Sequence, residues 1–286
     1  MAKSALLKSS IGKKYWMALT GLFLCLFLAG HLAGNLQLIF GTSQQFNEYA
    51  LFMTTNPAVK LLSYVTYISI LFHAIDGILL TIQNKKARPI GYAKENPSAN
   101  SKFASRNMAV LGTVILVFIA THMVNFWAKM HFDENMPLMS KVVNNMGVEQ
   151  RLAIGLIGSQ TPFFPVDSLG RIDKATLDQY DLKVENVTTV VNKDTKDVVF
   201  KGQKDLYKIT IDFFKDPNTG LLFTILYVLA MAVLAFHLLH GFSSAFQSLG
   251  LNHPKYTPAI TIFGKGFAIL VPLLFALIPL YIRFIK

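Results

Sequence analysis

Five long apolar runs decide most of what this chain can be. They cover roughly residues 15–40, 58–82, 107–128, 220–246 and 262–285. Each meets the length of about 20 residues that a helix rising 1.5 Å per residue needs to cross a bilayer core. The runs are continuous and not alternating, which excludes barrel strands, and lipid leaves no other way than helices or closed barrels to satisfy the backbone. The expected fold class is an all-α membrane protein, a bundle of five transmembrane helices. Only 15% of residues are charged, against roughly 25% in an ordinary soluble domain, which argues against a cytosolic enzyme.

The net charge of +11 is unevenly spread. Residues 129–218 hold 13 of the 16 acids and 12 of the 27 Lys and Arg, leaving 15 basic residues against Glu48, Asp76 and Glu95 elsewhere. A basic surplus flanking apolar runs is the pattern of membrane topology and not of a DNA-binding face. The N-terminal tail (Lys3, Lys8, Lys13, Lys14) and the connection 83–106 (Lys85, Lys86, Arg88, Lys94, Lys102, Arg106) are expected in the cytoplasm, with the turn 247–261 and its Lys255. Gly41 to Pro57 carries no Lys or Arg and is expected outside, with the C-terminus. The first run is too long for a leader's apolar region and lacks a small-residue cleavage site, so it reads as a span.

The chain thus divides into 1–128 with three spans, an outside insert at 129–218, and 219–286 with two spans. The insert is too polar for lipid. In 184–214 its β-branched runs, broken by Asn-Lys-Asp and Lys-Gly-Gln, read as two or three short antiparallel strands. The stretch TPFFPVDSLG before them reads as irregular. No catalytic constellation stands out, and a small β-rich cap over the outer helix ends is expected. The single cysteine, Cys25, lies in an apolar run, which excludes an intrachain disulfide, a cysteine zinc site and covalent haem attachment.

Four of the seven histidines lie deep in spans. His31 is 17 residues past Lys14 and His122 is 16 past Arg106, each about 25 Å along its helix from the cytoplasmic end. His73 is 10 residues before Gln83 and His237 is 10 before Gln247, about 15 Å in. Imidazole in hydrocarbon must face the bundle interior and find a partner. Two histidines at each of two depths, on alternate helices, suit bis-histidine ligation of two haems. A proton relay has no need of such pairing, and only Asp76 offers an intramembrane acid for one. Gly34, Gly77 and Gly241 lie one turn from His31, His73 and His237. They leave room for a flat macrocycle, or equally serve ordinary helix packing. His240, on a neighbouring face, can meet a haem propionate or cap a polar contact, while His131 and His253 read as solvated loop residues.

These residues resemble the dihaem cytochrome b membrane anchor of succinate:quinone oxidoreductases and quinol:fumarate reductases, in its single-subunit, five-helix form. The matching pieces are GHLAGNLQLIFG at 30–41 followed by FNEYALFM, LFHAIDG at 71–77, ATHMVNF at 120–126 and FHLLHGFSSAFQSLG at 236–250. In the last piece His237, Gly241 and Gly250 meet the family spacing and select His237 over His240. The resemblance implies that His73 and His237 hold a proximal haem b and His31 and His122 a distal one. It also implies a flavoprotein partner with covalent FAD and an iron–sulfur subunit docked on the cytoplasmic face of a bacterial inner membrane, with a quinone, menaquinone, as electron acceptor. The family's loop between third and fourth spans is short, so the insert of about 90 residues is a departure.

Quinone reduction consumes protons. Glu48 is the only acid expected near the outer surface between the first two spans, with Asn35, Gln37 and Asn125 as polar neighbours. A solvated carboxylate is the competing reading. Asp76, one turn toward the cytoplasm from His73, can orient a ligand or reach water by snorkelling. Ser10, Lys13 and Lys14 can pair with haem propionates or anchor the interface. A haem-free proton-coupled transporter, and the b-type anchor of a hydrogenase or formate dehydrogenase, are the alternatives that the residues leave open.

Overall fold

The computed structural model describes residues 9–87, 89–90, 96, 99, 101–145 and 147–286. Lys3, Lys8, Arg88, Lys94 and Glu95 of the expected cytoplasmic surface lie outside the described residues. Among the described residues, five helical segments are long and apolar enough to cross a membrane, at Ser10–Phe40, Pro57–Lys86, Met108–Phe132, Gly220–Ser248 and Thr257–Phe284. The third continues to Phe132, beyond the expected boundary at 128, and the first and fifth begin five residues earlier than their apolar runs.

Local chemistry sets the ends of these helices. Helix α1 (Ser10–Asn35) starts where the Ser9 hydroxyl accepts from the Gly12 N–H at 2.9 Å. It passes almost directly into the short α2 (Gln37–Phe40). Helix α3 (Ser43–Thr55) opens with a capping box between Thr42 and Gln45. Asn56 then caps α4 (Pro57–Lys86), which has proline in its first turn and Lys85 and Lys86 in its last. After the short α5 (Phe103–Arg106), α6 (Met108–His122) runs into a π-helical turn (Met123–Ala128) and then α7 (Lys129–Phe132). His131 sits in α7 and not in a loop. Its exposed ring stacks on Trp127 at 4.5 Å.

The last two spans are α10 (Gly220–Ser248) and α11 (Thr257–Phe284). Gly250, with φ +77°, stops α10 in the left-handed conformation, its N–H donating to the Gln247 carbonyl at 3.0 Å. This backbone role accounts for the glycine thirteen residues after His237. Helix α10 is the centre of the bundle, packing against α1, α6 and α11, while α4 lies against α1. Cys25, Ala230, Met231, Leu234, Leu238, Phe242, Ala268 and Ala276 form the inner core. Cys25, Ala230, Ala268 and Ala276 among them are small and let helices approach closely without the hydrophobic effect that drives packing in water. Helices α4 and α6 present Leu61, Leu71, Ile78, Val110 and Val117 outward, each more than half exposed. Such belts are inadmissible on a water-facing surface and suit lipid, so the chain reads as a multi-pass membrane protein.

The insert is not strands alone. Strands β1 (Ser140–Asn145), β2 (Val148–Ile154) and β3 (Phe163–Pro165) form one antiparallel sheet. After α8 (Lys174–Gln179), β4 (Leu182–Asn186), β5 (Thr189–Asn192) and β6 (Val198–Lys201) form the second. The expected breaks at Asn-Lys-Asp and Lys-Gly-Gln do end β5 and β6. Two expectations are corrected. TPFFPVDSLG is not wholly irregular, since Phe163–Pro165 pairs with β2, buries Phe164 and continues through the bridge from Val166 to Ile172. LYKITIDFF is helical, α9 (Leu206–Lys215), because Asp205 caps it and its apolar positions recur at helical spacing. The two sheets share a core of Leu138, Ala153, Phe164, Val166, Leu182, Val190 and Phe200.

Helix α9 joins the insert to the bundle. Leu32, Leu38, Phe46, Phe214, Val271, Ile278 and Ile282 pack together, bringing α1, α2, α3, α9 and α11 to one end. Asn47, fully buried on α3, donates through Nδ2 to Asp205 Oδ1 at 2.7 Å and accepts at Oδ1 from the Tyr207 N–H at 2.9 Å. Its carbonyl accepts from Gln203 Nε2. At the C-terminus, Arg283 donates to the carbonyls of Phe214, Lys215 and Asp216, and Lys286 to that of Leu38 at 2.9 Å. The insert, the segment 41–57 and the C-terminus therefore share one end of the bundle.

Candidate functional site: two histidine pairs

The four deep histidines meet as two pairs. The His31 and His122 ring centroids are 5.9 Å apart, nearly perpendicular at 86°, and those of His73 and His237 are 6.2 Å apart at 65°. A metal bound about 2 Å from one nitrogen of each imidazole puts the ring centres roughly 6 Å apart. Edge-to-face packing of two neutral rings uses the same distance. The ring nitrogens are what separate the two uses.

At the inner pair, away from the insert, His73 Nδ1 lies 3.2 Å from the Met17 carbonyl and 3.4 Å from the Thr20 hydroxyl, both on α1. A carbonyl only accepts, so Nδ1 carries the proton and the Nε2 lone pair is left for a metal. Gly21 admits the ring, since a Cβ there would stand 3.1 Å from His73 Cε1, and a Cβ on Gly112 would stand 3.7 Å from His237 Cε1. His237 Nδ1 is buried and, among the described residues, has no hydrogen-bond partner. Such a group in an apolar interior costs free energy unless a ligand or water meets it. The donor set and the orphaned nitrogen fit a bound haem iron.

The outer pair lies toward the insert, inside an aromatic cage. Phe27 stacks on His31 at 5.3 Å, and Phe118 on His122 at 5.7 Å. Phe126, Tyr227 and Phe275 close the remaining sides at 5.3, 6.0 and 5.7 Å. His122 Nδ1 is 3.4 Å from the Tyr227 hydroxyl. Asn35 Nδ2 donates to the His31 carbonyl at 2.8 Å and faces both ring nitrogens at 3.4 and 3.5 Å. Asn125 Nδ2 donates to the Tyr227 oxygen at 3.4 Å. Both amides are thus engaged at the outer pair.

Other expected residues fall differently. Gly34 does not open onto space for a macrocycle. A Cβ there would come within 2.4 Å of the Tyr49 ring, which fills that face, and burial pushes the Tyr49 phenol above its ordinary pKa. Among the described residues, nothing comes within 4 Å of a Cβ on Gly77, and only Met108 Cε, at 3.9 Å, of one on Gly241. Glu48 is exposed on α3 and accepts from Gln44 Nε2 at 2.8 Å, while Gln37 is half-buried in α2. Asp76 is half-buried within electrostatic reach of Lys13 and His73, and His240 within reach of His237 and Lys102. His253 is exposed, accepting from the Lys255 N–H at 3.1 Å. Met17, Gly21, Tyr49, Gly112 and Tyr227 were not singled out by sequence reasoning. No family model, curated protein or solved structure matches the chain.

Proposed function

We propose that this chain is the dihaem cytochrome b anchor of a succinate:quinone oxidoreductase or quinol:fumarate reductase. The single observation that carries the reading is the meeting of His73 with His237 and of His31 with His122, at 6.2 and 5.9 Å between ring centres. Haem b, held by these imidazoles, would supply one-electron carriage. The chain's own residues do the rest. His73 and His237 would hold the inner group and His31 and His122 the outer one, with Met17 fixing the His73 tautomer. The phenyl cage excludes water from the outer pair and lowers the local dielectric, which raises the influence of every nearby dipole.

Orientation and partners belong to the same proposal. Lys13, Lys14, Lys85, Lys86, Lys102, Arg106 and Lys255 flank the helix ends opposite the insert. The excess of positive charge on cytoplasmic loops then puts the N-terminus in the cytoplasm of a bacterial inner membrane and the insert outside. The same basic face would receive the iron–sulfur subunit, and through it the FAD-bearing flavoprotein that works on succinate or fumarate. A quinone, menaquinone in this reading, would be reduced or oxidised toward the insert end, with Glu48 at the water boundary as the proton carrier. This makes the chain part of an enzyme without a dicarboxylate site of its own.

The test is a reduced-minus-oxidised spectrum of the purified membrane protein, with pyridine haemochrome quantification and succinate as an alternative to dithionite. Two b haems per chain, reduced by succinate when partners co-purify, is the expected result. Haem that ignores succinate in an intact complex would assign the chain to another dehydrogenase. A haem-free preparation from haem-replete cells would overturn the reading in favour of a proton-coupled transporter.

A further inference from the structure

We infer that Tyr227 is a positioning residue for His122, setting the outer histidine pair from the neighbouring helix; the inference rests on the haem reading above. The Tyr227 oxygen lies 3.4 Å from His122 Nδ1 and takes a second contact, from Asn125 Nδ2, at 3.4 Å. Its ring is held edge-on by Phe118 at 5.0 Å and by Phe214 at 5.1 Å and 88°. Phe214 belongs to α9, so the insert braces the phenol that faces the histidine.

The chemistry follows from the inventory of donors. The Asn125 amide can only donate from Nδ2, and it occupies one lone pair of the phenol oxygen. With Nε2 given to iron, as the haem reading requires, His122 Nδ1 carries the proton and donates to the other lone pair. This fixes the tautomer that leaves Nε2 for a metal, and hydrogen-bonding from the far nitrogen makes Nε2 a stronger donor. At the inner pair the corresponding contact to His73 is the backbone carbonyl of Met17, which no side-chain substitution removes. The inner pair is therefore an internal control.

The test is Tyr227→Phe in the whole complex, read by haem content, a redox titration resolving the two haems, and low-temperature EPR of the low-spin ferric signals. The expected result is two haems per chain, with one EPR signal displaced and one midpoint raised. The rise corresponds to about threefold in that haem's reduction equilibrium, or about 30 mV at 59 mV per tenfold for one electron. Two haems with both midpoints and both signals unchanged would overturn the inference and leave the haem reading standing. Absence of haem from the unmodified protein would instead refute the haem reading. Should Tyr227→Phe fail to assemble, Asn125→Leu reads the same contact. It removes the competing donor, so the phenol accepts from the imidazole alone and the same midpoint moves downward; an unmoved midpoint overturns the inference.

Discussion

Asn47 offers the sharpest test of how the insert is fastened to the bundle. Replacement by Leu keeps the volume and removes both side-chain bonds, to Asp205 Oδ1 at 2.7 Å and from the Tyr207 N–H at 2.9 Å. Tyr207 lies in the first turn of α9, where backbone N–H groups lack intrahelical acceptors. That donor is then stranded against a position that is fully buried. Asp205 keeps its cap on the Lys208 N–H at 2.9 Å but loses a charge-assisted partner. Stranding a buried donor costs about 1–3 kcal/mol and losing a bond to a charged group about 1.5–3 kcal/mol. Allowing for relaxation, local opening of α9 becomes easier by ~2–3 kcal/mol, or roughly 30- to 150-fold at 1.36 kcal/mol per decade. Hydrogen exchange of the amides in 206–215, compared at one pH in the same detergent, reads this directly. Asn47→Asp places two carboxylates in contact and is expected to be worse still, whereas Asn47→Asp with Asp205→Asn restores complementary groups. Exchange in Asn47→Leu within about threefold of the unmodified protein, or a double variant no better protected than Asn47→Asp alone, refutes the fastening.

Gly34→Ala drives a methyl into the Tyr49 ring, at 2.4 Å from Cε1, and is expected to lower stability by about 1–3 kcal/mol; thermal unfolding monitored by Tyr environment checks it, and Gly266→Ala, whose methyl meets nothing within 4 Å among the described residues, serves as the neutral comparison. On the proposed haem reading, replacing His73 or His237 by Leu removes one haem of two and spares the other, and His31 or His122 the reverse, as counted by pyridine haemochrome. Asp167 carries the pH prediction. Burial works to raise its pKa, but hydrogen bonds from the Arg171 backbone and guanidinium, the Leu169 N–H and the Arg171 charge outweigh it and hold the carboxyl below its ordinary value. A depressed folded value stabilises the 167–171 turn at neutral pH, and that contribution is lost as pH falls through the depressed pKa; a 13C titration of the carboxyl placing it at or above the ordinary aspartate value contradicts this.

The helix count and the depth of each histidine were legible because lipid forces continuous apolar runs and makes an intramembrane imidazole conspicuous. The insert was harder. The run of Ile209, Thr210 and Ile211 favours strand by propensity, yet the same segment places Leu206, Thr210 and Phe214 on one face once Asp205 caps it, and tertiary packing decides. Strand β1 opens on Ser140 and Lys141 and leaves Val142 half exposed, so it left no alternating signature. Gly21 and Gly112 did leave a signal, each ten residues before a histidine of the outer pair, but a glycine's meaning depends on what crosses it, and that was visible only when His73 and His237 came against them. Tyr227 was a lone phenol in an apolar span, indistinguishable beforehand from an interfacial aromatic.

That ten-residue interval occurs three times. Gly21 and His31 on α1, Gly112 and His122 on α6, and His237 and Tyr227 on α10 each connect the inner histidine level to the outer one. A helical step of ten residues is about 15 Å, so three hydrogen-bonded rods act as callipers of equal opening. Thinner or thicker lipid can tilt the bundle or draw its flanking lysines along the interface, but it cannot change the distance between the two levels without breaking a helix.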